Sequence, residues 1–143
     1  MSSPILAPAA VLVAWTLLIM LWMIVTRFPG LQKAGLDLGS AQPGIRYQDV
    51  EAAVDQRVNW KSHNYTHLLE QPTLFYATVA ILALAGAGEG VNVTLAWAYV
   101  GLRIVHSLWQ TLVNTLPVRI CLFALSSTVL IVLAVNALRA TLQ

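Results

Sequence analysis

The sequence of 143 residues is 58% hydrophobic and 10% charged, with a formal net charge of +2 and a mean hydropathy of +0.72. Soluble domains carry about a quarter of their residues as Asp, Glu, Lys and Arg, so the composition excludes that class and points to an all-α integral membrane protein. The basic residues form no run, which excludes nucleic acid as a partner, and a single cysteine, Cys121, excludes an internal disulfide.

A spanning helix needs roughly 20 mainly apolar residues. Four such segments, 4–27, 54–87, 91–115 and 117–141, fill the chain and predict one four-transmembrane-helix bundle over residues 1–143, with a long loop at 28–53. The first, apolar from Ile5 to Val25, has no Lys or Arg before it, so it reads as a retained helix rather than a secretory signal. Arg27 and the Phe28-Pro29-Gly30 break are expected to end it.

The loop is rich in glycine and charge. Its last residues, Gln48 to Asp55, read as the solvent end of the second helix, with Asp49 and Asp55 as first-turn acids or caps. Pro72 falls inside that helix, and Gly86-Ala87-Gly88-Glu89-Gly90 makes a turn short enough to set the second and third helices antiparallel. Asn114 to Pro117 makes the next turn.

Lys and Arg concentrate in and beside the first loop (Arg27, Lys33, Arg46, Arg57, Lys61) and after the third turn (Arg119), while the second turn has only Glu89. The loop is therefore expected in the cytoplasm with both termini on the far side. A multi-pass protein of a bacterial inner membrane is the expected setting.

The candidate chemistry is a polar stripe that enters the membrane. Arg57, Lys61, Asn64, His67 or Leu68, and Gln71 recur at three- and four-residue spacing on the second helix; Arg103, His106 or Ser107, and Gln110 do so on the third; Arg119 opens the fourth. Ionisable groups at membrane depth are costly in hydrocarbon and face a bundle interior or a wet cavity. Glu70 is the one carboxylate within a span and is expected to pair with an arginine. The other cations then call for an anionic ligand arriving from the cytoplasm. His63, His67 and Glu70 have a spacing that metals accept, but no second ligand cluster accompanies them, so no metal is expected.

These residues, in order, resemble the MAPEG family, the membrane-associated proteins in eicosanoid and glutathione metabolism, and within it the microsomal glutathione transferase type. The resemblance covers nearly the whole chain and rests on Arg57, Asn64 and Pro72, then Arg103-x-x-His106, then Pro117-x-Arg119. It implies a homotrimer with glutathione as cosubstrate in a cleft between subunits, and a lipophilic small-molecule substrate arriving from the bilayer to be conjugated or reduced. It further implies that Arg57, Asn64, His67, Arg103, His106 and Gln110 hold the tripeptide, and that Arg119 stabilises its thiolate as the catalytic group. Three positions depart from the pattern: Trp60 stands where many members have a second arginine, His67 where they have a glutamate, and Gln110 where they have a tyrosine. Losing the glutamate removes the partner of the glutathione ammonium. The alternative is therefore a divergent member that binds another anionic or lipid ligand in the same cleft without catalysis.

Overall fold

The computed structural model describes residues 3–35, 39 and 42–142. They form five helices: α1 (Leu6–Lys33), α2 (Tyr47–Glu51), α3 (Gln56–Leu84), α4 (Val91–Leu112) and α5 (Leu116–Leu142). By length and composition α1 and α5 are apolar enough to cross a membrane. At 1.5 Å per residue, α4 is about 33 Å long and α3 about 43 Å, and these two carry the polar stripes.

Helix α1 does not stop at the Phe28-Pro29-Gly30 break, as its sequence predicts, but continues to Lys33 with Pro29 inside it. A proline removes one backbone bond, to the carbonyl four residues back. Here both Pro29 and Val25 lie on the exposed side, where no packed contact depends on that turn. Gly30 lies within the helix against the Val54 and Val58 side chains, and the chain turns off at Gly35, whose φ of +73° suits glycine.

The loop predicted at 28–53 contains a helix of its own. In α2 the Asp49 carboxylate accepts from the Arg46 backbone N–H at 2.8 Å, so Asp49 acts as a first-turn acid of α2, not of the longer helix. Asp55 has extended ψ and accepts from the Arg57 N–H at 2.7 Å. That cap starts α3 at Gln56, two residues later than predicted. Asn59 ties the two helices, its amide donating to the carbonyls of Glu51 (2.9 Å) and Val54 (3.3 Å), and His63 contacts the Glu51 carboxylate.

The long helices pack with α1 along α3 and α4 along α5, and with α4 and α5 both crossing onto α3. Each contributes one apolar stripe to the core: Ile5, Leu12 and Ile19; Leu68, Phe75, Val79 and Leu82; Ala96, Tyr99 and Val100; Leu130, Leu133 and Ala137. The rings of Tyr99 and Phe75 stack at 4.4 Å. Large apolar side chains such as Leu18, Val25, Leu84, Ile131 and Leu138 point outward, which a water-soluble surface would not tolerate at this density.

The turn between α3 and α4 is closed by the amino terminus. Gly86 and Gly90 take positive φ, and Gly88 is buried beneath Ser3 and Ile5, where an added Cβ would lie 2.0 Å from Ser3 Oγ and 2.9 Å from Ile5 Cγ2. The serine hydroxyl can rotate away; the branched Ile5, itself fully buried, cannot. Gly88→Val is expected to destabilise the protein by about 1–3 kcal/mol through overpacking. SDS-induced unfolding in mixed micelles would measure this.

Candidate functional site

Hydrogen bonding sorts the sequence stripe into two groups. Asn64 is fully buried, and its amide donates to Ser107 Oγ at 2.7 Å and Thr111 Oγ1 at 2.9 Å. Trp15 of α1 donates to the same Ser107 hydroxyl at 3.0 Å. Three helices therefore meet at Ser107. Asn64 lies inside the helix bundle rather than on an open surface.

His67, three residues on, borders a cavity instead. His67, His106, Leu116, Arg119, Ile120 and Phe123 enclose about 200 Å³ of open space between α3, α4 and α5. The rings of His67 and His106 meet edge to face at 6.2 Å. Arg119 Nη1 donates to Asn114 Oδ1 at 2.9 Å, and the Asn114 backbone takes a φ of +60° to make that turn.

Arg103 stands behind this cavity. It is 1% exposed, and its Nη2 donates to the backbone carbonyl of His67 at 2.8 Å. That carbonyl lies on α3 one residue before Leu68, the residue whose carbonyl loses its helical donor to Pro72. Arg103 Nε and Nη1 and Arg119 Nε have no hydrogen-bond partner among the described residues, and neither do the two amide atoms of the fully buried Gln110. Buried polar atoms without partners cost about 1–3 kcal/mol each, more when charged, which makes these atoms the candidates for a polar ligand.

The arginine pair expected for Glu70 does not form. Its carboxylate lies 3.5 Å from His67 Nδ1 and is mostly exposed, while the two arginines turn to a backbone carbonyl and an asparagine. Arg57 is also apart: it is exposed in the first turn of α3, ten residues or about 15 Å along the axis from His67. The structure thus brings His67, His106, Arg103 and Arg119 together, buries Asn64 and Gln110 beside them, and leaves Arg57 outside. Trp60 is half-buried on α3. Among the described residues no three His, Cys, Asp or Glu side chains converge to hold a metal; His63 turns to Glu51.

The MAPEG family model matches residues 5–139. The chain belongs to the MAPEG family. It is accordingly an integral membrane protein of the class related to glutathione and eicosanoid chemistry. Comparison with curated proteins and with solved structures gives no significant match. The matched MAPEG region contains every residue of the cavity and of the Asn64 cluster.

Several residues of this candidate site carry no signal in the sequence. Leu116, Ile120 and Phe123 supply the apolar wall, and nothing distinguishes them from lipid-facing residues of the same helix. A second polar tie joins Tyr99 to Gln71 Oε1 (3.3 Å) and Gln71 to Ser127 (2.7 Å); Ser127 and Tyr99 are polar positions in apolar segments, which is the signal that could have found them. Asn64→Leu removes the two hydrogen bonds that tie α3 to α4 here, while Ser107 keeps Trp15 and Thr111 keeps the Ser107 carbonyl, so it is expected to cost about 1–3 kcal/mol of stability. Arg57→Ala should change stability little. Thermal melts of both variants in detergent would check this contrast.

Proposed function

We propose that this protein is a microsomal glutathione transferase-like enzyme. It crosses the membrane four times with both termini away from the cytoplasm of a bacterial cell, and it assembles as a homotrimer. The observation that carries the reading is Arg103: a buried guanidinium with two unpartnered N–H groups, beside a cavity bordered by a second arginine, and with no carboxylate within ion-pair distance among the described residues. Such a cation needs an anion. Ligand sites usually enclose about 300–1,000 Å³, more than the 200 Å³ found here, which supports a cleft completed by a second subunit.

The residues fit glutathione in part. Arg103 and Arg119 offer donors to its carboxylates and thiolate, and Leu116, Ile120 and Phe123 offer an apolar surface to a lipophilic electrophile. Glutathione would supply the nucleophilic thiol. Arg119 would hold the thiolate charge; His106 and Gln110 would orient the tripeptide; Arg57, at the cytoplasmic end, would attract it by charge. Asn64 acts on the site through the helices it joins.

The second reading, binding of another anionic or lipid ligand without catalysis, is favoured by His67 at the glutamate position and by the apolar share of the cavity wall. Calorimetry with purified protein in detergent separates the two. Saturable glutathione binding in the micromolar to low millimolar range is expected, weakened about 10- to 100-fold in Arg119→Ala by loss of a charge-assisted contact. A folded protein that fails to bind at several millimolar would leave the second reading.

A further inference from the structure

Two imidazoles border the cavity, and they differ in what stands behind them. His106 has no carboxylate within ion-pair distance among the described residues. His67 has Glu70, one turn further along the same helix, with Nδ1 and Oε2 3.5 Å apart. That separation is a charge contact slightly longer than a hydrogen bond, and such catalytic contacts are often loose before the ligand binds. A carboxylate facing Nδ1 favours the tautomer that carries its proton there and leaves the Nε2 lone pair free.

The position of Glu70 calls for a function. Its side chain is 62% exposed on a helix segment flanked by outward-facing Leu69 and Leu74. An ionisable group on an apolar helix segment of a membrane protein is costly wherever it meets hydrocarbon, so it usually serves a site or a polar cavity. The charged and titratable groups that act on His67 come from three helices: Glu70 and His63 from α3, Arg103 and His106 from α4, and Arg119 from α5. Glu70 is the one anion among them.

We infer that His67, held by Glu70, is the general base that takes the proton from the cosubstrate thiol at this cavity. The inference rests on the thiol reading above and deepens it. In the step, the S–H bond breaks and an Nε2–H bond forms; the electron pair stays on sulfur, giving a thiolate beside Arg119 and an imidazolium beside the Glu70 carboxylate. The neutral imidazole has changed by one proton and the carboxylate by none. Glu70 is a positioning residue: it orients the ring and stabilises its cationic form. The imidazole that replaces a glutamate at this position is then an exchange of a ligand contact for a proton acceptor.

The test is a pH titration of the ultraviolet thiolate absorbance of glutathione, at saturating glutathione in each variant, with calorimetry on the same samples. Wild type should form thiolate at the lowest pH. His67→Gln should need a pH higher by about one unit or more, a tenfold loss of thiolate at fixed pH, and Glu70→Gln should shift in the same direction by less. Added imidazole should restore part of the turnover lost in His67→Ala. Identical titration midpoints in wild type and His67→Gln, with glutathione bound to both, would overturn the base assignment while leaving glutathione use intact. Wild-type protein that binds no glutathione by calorimetry would overturn the thiol reading itself, and the base with it.

Discussion

The structure depends on one constraint: a polar group inside a membrane helix must find its partner within the protein. The Asn64 amide nitrogen meets it by donating to α4, at Ser107 and Thr111, though its Oδ1 keeps no partner among the described residues, while Trp15 brings α1 to the same Ser107 hydroxyl. Apolar stripes alone would let these helices slide, since lipid contacts a leucine as well as another helix does. The asparagine cluster fixes depth and rotation. Once Ser107 is set against Asn64, Arg103 one turn away reaches the His67 carbonyl, and His106 turns beside His67. The Gln71–Ser127 bond sets α5 in the same way, and with it Arg119 and Phe123.

What these ties leave unsatisfied is as informative as what they satisfy. Near the amino-terminal turn, the network closes on itself: Asn136 donates to Asn92, and Asn92 donates to the Ala87 carbonyl. At the other end, Arg103, Arg119 and Gln110 keep unpartnered atoms among the described residues. Among the described residues, the buried side-chain atoms without a partner belong to Asn64, Arg103, Gln110 and Arg119. In the proposed assembly the missing partners are an anionic ligand and a neighbouring subunit, and the cavity opens where both would arrive.

The four long helices and the polar stripes of α3 and α4 were legible in the sequence because composition and spacing report burial directly. The extent of α1 was not, because Pro29 ends a helix only when the lost bond and ring clash are not absorbed, and here they fall on an exposed face. Helix α2 was hidden in a loop because a five-residue helix has too little periodicity to register. Within the site, the stripe on α3 showed that Asn64 and His67 lie near one another but not which of them faces the protomer's own core. Three residues rotate a helix by about 300°, leaving the two some 60° apart, enough to place one in a core and the other on a cavity. Glu70 was expected beside an arginine by charge balance; the Arg103 guanidinium took the His67 backbone carbonyl instead, a partner that spacing rules do not count.

In the proposed assembly, a second copy of the chain and an anionic thiol complete the cationic end of this bundle. Native mass spectrometry of the protein released gently from detergent, with and without glutathione, tests it most directly. A trimer that gains up to three glutathione masses is expected. A monomer that stays folded and takes up none would contradict it.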